Sequence, residues 1–165
     1  MSRACIVRPN LYSARALRLQ EHVQAFAHAR FEWGRFDCCT WAADWVAAEH
    51  GADPMESLRG LDHALQAARQ IRRLGGLHQA ICARLGAGQP ALRAQMGDIV
   101  LMPTLRGSQR QQRGLISDAL GLSVGICLGD HVAVPALVGL AYVPLAWRSA
   151  GCDVYQASGV AAWRV

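Results

Sequence analysis

Helical periodicity fills the first half of this chain and stops at Pro90, and that change of pattern narrows the choice of folds more than any other feature. Ala16, Leu19, Val23 and Phe26 recur at helical spacing within Ser13 to Arg30, with arginine and glutamine between them, so an amphipathic helix is expected there. FEWGRF, residues 31–36, breaks the pattern with a glycine between aromatics and reads as a short loop. Cys38, Trp41, Ala42, Trp45 and Val46 then fall on one continuous stripe, with Asp37 as the natural N-cap and Gly51 as the stop. This second segment is the expected central, buried helix. Asp53-Pro54 offers another N-cap followed by a first-turn proline. Two more helices follow, one striped by Ala64, Leu65, Ala68 and Ile71 and ended by Gly75-Gly76, the other running from Leu77 to Leu85.

Beyond Pro90 the apolar runs are short and punctuated. IVLM at 99–102, led by Gly97-Asp98, is followed by LSVGICLG, HVAV and GLAYVPLAW, and GVAAWRV is placed to close a sheet at the C-terminus. Residues 104–114, TLRGSQRQQRG, are polar and basic and read as an exposed loop. Helices first and strands second imply an α+β fold, with N-terminal helices packed on a C-terminal antiparallel sheet. With 165 residues, one domain is expected over 1–165: an N-terminal segment and helix (1–30), a helical half (31–89) and a β half (90–165).

Composition excludes several classes. A 52% hydrophobic and 18% charged chain is a folded protein, not a solvating one. The 17 basic residues are all arginine, so lysine chemistry is excluded; arginine favours bidentate contact with acidic groups. The six cysteines, Cys5, Cys38, Cys39, Cys82, Cys127 and Cys152, lack the CxxC spacing of a zinc site, so no metal and no cofactor is expected, and an iron–sulfur role has no support from spacing. Cys38 and Cys39 cannot readily bond to each other across one peptide. The opening MSRACIVRPN is no secretory signal, which fits synthesis in a reducing cytoplasm. No run approaches the roughly 18 apolar residues of a membrane span. Arg106, Arg110 and Arg113 read as a solvated or protein-contacting loop, and nucleic-acid binding is not expected.

The chemistry-bearing stretch is FDCCTWAADWV. A cysteine in the first helical turn feels the positive end of the helix dipole, which favours the thiolate and so prepares a nucleophile. Cys38 occupies that position, whereas Cys39 lies off its stripe and is expected to point elsewhere. The competing reading is that Cys38 is a small buried hydrophobe, as unpaired cysteines commonly are.

WGRFDCCTWAADWV, MGDIVLM and SVGICLG, taken in order, resemble the papain-like NlpC family of cell-wall cysteine peptidases over about residues 31–130. The Trp-Gly before Asp-Cys-Cys, the Ala-Asp-Trp-Val helix, the Gly-x-Asp-Pro turn and the C-terminal Ala-Trp-Arg-Val look like the NlpC variant encoded beside bacteriophage and prophage tail-tip genes, from Phe31 to Val165. The resemblance implies a papain-like fold with Cys38 as nucleophile or relic, Asp37 as helix N-cap, and Trp33 and Trp41 as candidate substrate-binding residues. It departs at Ser123, the position that the family pattern reserves for histidine. A serine hydroxyl is no base near neutral pH, and a cysteine peptidase needs an imidazole to share the proton and to protonate the leaving amine.

His131 is no substitute. A Gly129-Asp130 hairpin would pair Leu128 with His131 and Ser123 with Ala136, leaving His131 on the opposite face and about 16 Å along the strand. Pro135, Ala136 and Leu137 supply no third polar group, and His22, His28, His50, His63 and His78 lie on expected helices. The expected function is therefore a structural tail-tip or baseplate component with a peptidase-like but catalytically degenerate fold. Its expected location is the virion, its expected partners are other tail proteins and, at most, peptidoglycan. An active cysteine endopeptidase of the cell wall is the alternative.

Overall fold

A computed structural model of the chain describes residues 11–104, 121–148, 155–157 and 159–165. Four helices precede the strands: α1 (Leu11–Ala25), α2 (Cys38–His50), α3 (Ala64–Arg73) and α4 (Leu77–Leu85). The strands are β1 (Ile99–Pro103), β2 (Leu122–Cys127), β3 (His131–Pro135), β4 (Leu140–Pro144), β5 (Ala146–Arg148), β6 (Tyr155–Ala157) and β7 (Ala161–Trp163). Five of them form an antiparallel sheet in the order β4-β3-β2-β1-β7, and β5 pairs with β6 in a small ribbon. This is the α+β arrangement that the change of pattern at Pro90 implies. The C-terminal GVAAWRV segment does close the sheet, Ile99 pairing with Trp163 and Leu101 with Ala161.

Strand alternation divides β1 between two layers. Ile99 and Leu101 join Trp41, Trp45, Val46, Val124, Ile126 and Trp163 in the core shared with the helices. Val100 and Met102 join Cys127, Val132, Val134 and Ala162 on the other face. Because both faces are covered, β1 reads as a continuous apolar run instead of an alternating one. Asp98, wholly buried before β1, accepts from Gln95 N at 2.9 Å and faces Arg164 Nε at 3.3 Å. That carboxylate ties the β1 entry to the end of β7.

The central helix follows the expected stripe: Trp41, Ala42, Trp45 and Val46 are buried, and Gly51 ends it at a left-handed φ of 74° that a side chain would resist. Trp45 Nε1 donates to Gly97 O at 2.8 Å, joining α2 to the start of β1. The helix α1 ends five residues short of Arg30. Phe26 and Ala27 donate to carbonyls three residues back, and the chain then leaves to bridge Val138 from Arg30 and Leu137 from Phe31.

Two local expectations are corrected. Asp53-Pro54 starts only a single 3₁₀ turn, Glu56–Leu58, because the Asp53 carboxylate is shared between Met55 N and Arg59 Nε, and Arg59 also reaches Asp44. In α3 the buried residues are Ala67 and Ala68, while Leu65 is 65% exposed. That helix packs through its small residues Ala64, Ala67 and Ala68 on Trp33 and Leu61, a neighbourhood that periodicity alone does not see. Of the polar 104–114 stretch, residues 105–114, with Arg106, Arg110 and Arg113, lie outside the described residues, as do Cys5 and Cys152. No helix among the described residues is long and apolar enough to cross a membrane.

Candidate functional site

The site is built around the first turn of α2. Asp37 is a 5% exposed N-cap: its Oδ1 accepts from Cys39 N and Thr40 N, both at 2.9 Å, and its Oδ2 accepts from Gly34 N at 2.8 Å. Thr40 completes a capping box by accepting from Asp37 N at 3.0 Å. Gly34 holds φ 75°, and a Cβ there would stand 2.9 Å from the Leu61 carbonyl oxygen, so a residue with no side chain is needed where the loop crosses the carboxylate. The FEWGRF loop is thus fixed onto the helix start.

Cys38 and Cys39 are both half-buried, unbridged, and line one cavity of about 160 Å³. Their sulfurs are 3.9 Å apart. Cys39 therefore does not point elsewhere, as its place off the stripe implied. Side chains in a first turn lean back towards the N-terminus, which brings neighbours at the end of a helix to the same opening. The thiol of Cys39, hydrogen-bonded to Cys38, lowers the Cys38 pKa below the ordinary thiol range, against burial and the Asp37 charge; the backbone N–H groups of Val124 and of Cys38 itself act in the same direction. Cys39 is pushed well above that range by the same hydrogen bond, by burial and by the charge on Cys38.

Of the other candidate residues, Asp37, Trp33 and Ser123 line this cavity with the cysteines, but Trp41 does not. Trp41 is 0% exposed, in the core, stacked on His22 with ring centroids 5.3 Å apart. Its place on the apolar stripe, shared with Trp45, is the signal that assigns it there. Ser123 sits on β2 opposite Met102, and its hydroxyl is 3.1 Å from Thr104 Oγ1. Nothing local in the sequence links two residues nineteen apart, so Thr104 carries no sequence signal of this contact.

No histidine lines the cavity among the described residues. His131 lies at the far end of β3, 2.9 Å from Asp130 and 43% exposed, and the Leu128–His131 hairpin register is the one expected. His22 packs between Phe26, Trp41 and Trp45, and its Nε2 lies 3.2 Å from Trp41 O. Burial lowers its pKa and keeps it neutral. Pro135, Ala136 and Leu137 form part of the cavity wall and add no titratable group.

These features define a class: an α+β domain in which a pair of adjacent thiols, at the capped start of the buried helix, opens onto an apolar cavity bounded by the first strands of the sheet. A family model described as a domain of unknown function (DUF6950) matches residues 12–154, and the chain belongs to that family. No curated protein and no solved structure matches the chain.

Proposed function

We propose that this chain is a papain-like domain of NlpC type that has lost its general base and serves as a structural component of a bacteriophage or prophage-derived tail tip or baseplate. The observation that carries the loss of catalysis is the cavity itself: it presents a thiol at a helix N-terminus but no imidazole among the described residues, and the hydroxyl at Ser123 is engaged by Thr104. Without a base near the sulfur, the acyl-transfer step lacks a proton acceptor and the leaving amine lacks a donor. The papain-like part is supported by the order of elements, with the Asp-Cys helix start packed against β2 and the Gly-Asp pair opening β1. The tail-tip part, with other tail proteins as partners and the virion as location, rests on the sequence resemblance from Phe31 to Val165.

A second reading has one observation in its favour. The lowered pKa of Cys38 and the Val124 N–H beside its sulfur are what a cysteine nucleophile needs, so an active cell-wall endopeptidase is the alternative. Purified protein incubated with peptidoglycan separates the two. Release of new amino groups that Cys38→Ala abolishes supports the hydrolase; an inert protein whose deletion leaves particles without completed tails supports the scaffold.

A further inference from the structure

The two sulfurs and the carboxylate before them make a donor set that neither reading uses. We propose that Cys38 and Cys39, with Asp37, form a binding site for a single zinc-class divalent cation, open on its remaining side to the apolar cavity. One donor atom from each of the three residues lies within 4.8 Å of the others. The sulfur separation of 3.9 Å selects the ion class. Two thiolates at about 2.3 Å from a tetrahedral zinc ion stand about 3.8 Å apart, whereas a linear two-thiolate ion would hold them near 4.6 Å. The existing rotamers therefore need little movement to close on zinc.

Charge and hydrogen bonding agree with that geometry. Two thiolates neutralise a divalent ion, and it is the bound ion that would draw the proton off the second thiol. In the absence of a cation the Asp37 charge opposes ionisation of both thiols; a divalent cation held by all three groups would attract each of them and outweigh that repulsion. The carboxylate is held in place by three backbone N–H groups, two on Oδ1 and one on Oδ2. Four lone-pair positions on a carboxylate leave one free for a metal, and the three amides hold the group rigid. Three protein ligands and an open fourth position is the pattern of a zinc site that takes water or an exogenous ligand. Adjacent cysteines fall outside the CxxC spacing that sequence rules recognise, which is why spacing gave no sign of it.

The test uses the full chain, reduced with a non-thiol reductant, stripped with chelator and titrated with zinc chloride against a chromophoric competitor. One zinc per chain is expected, with binding weakened at least about 10-fold in Cys38→Ser and in Cys39→Ser. Cobalt in place of zinc should give the intense visible bands of a tetrahedral thiolate complex in the wild type and lose them in either variant. If a variant fails to fold, alkylation of the unaltered protein decides: zinc should protect Cys38 and Cys39 from iodoacetamide while Cys82, on α4, reacts as before. Undiminished zinc binding by a folded Cys38→Ser/Cys39→Ser double variant overturns the proposal, as do equal alkylation rates of Cys38 and Cys39 with and without zinc. The peptidase-like reading does not enter these measurements, and its own test on peptidoglycan reads a different product, so either can fail alone.

Discussion

Replacing Asp37 with alanine should show how much stability the start of α2 draws from one side chain. Its carboxylate accepts three backbone N–H groups and is almost fully enclosed, at 5% exposure. Loss of an N-cap costs about 1 kcal/mol, within a range of roughly 0.5–2. The Gly34 N–H, no part of the helix, loses its acceptor as well, and an enclosed donor without a partner costs about 1–3 kcal/mol. Water entering from the adjoining cavity recovers some of this, so Asp37→Ala should destabilise the fold by about 2–4 kcal/mol, a large share of the ~5–15 kcal/mol typical of a domain. Asp37→Asn keeps one oxygen for Cys39 and Thr40 but turns an amide N–H₂ towards Gly34 N–H; it should cost less, about 1–2 kcal/mol. Urea unfolding followed by tryptophan fluorescence reads both, since Trp41, Trp45 and Trp163 are buried, and the m-value should stay constant. Thr40→Ala removes the reciprocal acceptor of Asp37 N, so the double variant should be less destabilised than the sum of the singles. A loss below about 0.5 kcal/mol for Asp37→Ala, or a larger loss for asparagine than for alanine, refutes the account of the cap.

Three further outcomes follow from the packing. Gly125→Ala would place a Cβ 2.6 Å from both Ala133 O and Val132 Cγ1, where a backbone atom must move, so it should lose about 1–3 kcal/mol or more in the same urea assay. Trp45→Phe removes the indole donor to Gly97 O and should cost about 1–3 kcal/mol; equal stability would show that the carbonyl finds another partner. His22 has its pKa lowered from 6.5 by burial, so the unfolded chain binds its proton more readily. Its contribution is complete above pH 6.5 and is lost as pH falls from there through the lower folded value. Melting temperature should therefore drop over that window, and His22→Phe should flatten the slope; a titration of the His22 ring by NMR at or above 6.5 contradicts the burial argument.

Local rules were enough for elements whose signals are local. The Asp37 cap, the Trp41–Val46 stripe, the Gly51 stop and the Leu77–Leu85 helix each depend on residues within a few positions of one another, and each forms as its pattern implies. Leu65 fails for the opposite reason: its stripe is helical, but which face of α3 is covered depends on Trp33 and Leu61, which belong to other segments. At the site, Trp41 is a substrate-binding candidate only through the family resemblance, and its own stripe already points to the core, where it packs on His22; Cys39, expected to point elsewhere, shares the cavity with Cys38.

The cavity is the least local object in the molecule, since its walls come from the 31–43 segment, from α3 and α4, from the ends of β1 and β2, and from residues 134–141. Sequence could therefore name the thiol and its cap, because one helix start contains both, and could note that Ser123 stands where a histidine was expected. It could not name the bond from Ser123 to Thr104, nor the 3.9 Å approach of the two sulfurs, because strand register and side-chain direction create them. What the site can do is decided at that second level. A thiol alone at a helix start is equally the remains of a nucleophile or a packed hydrophobe. Two thiols at the edge length of a tetrahedron, beside a carboxylate already held by three amides, form a donor set whose occupancy can be measured directly.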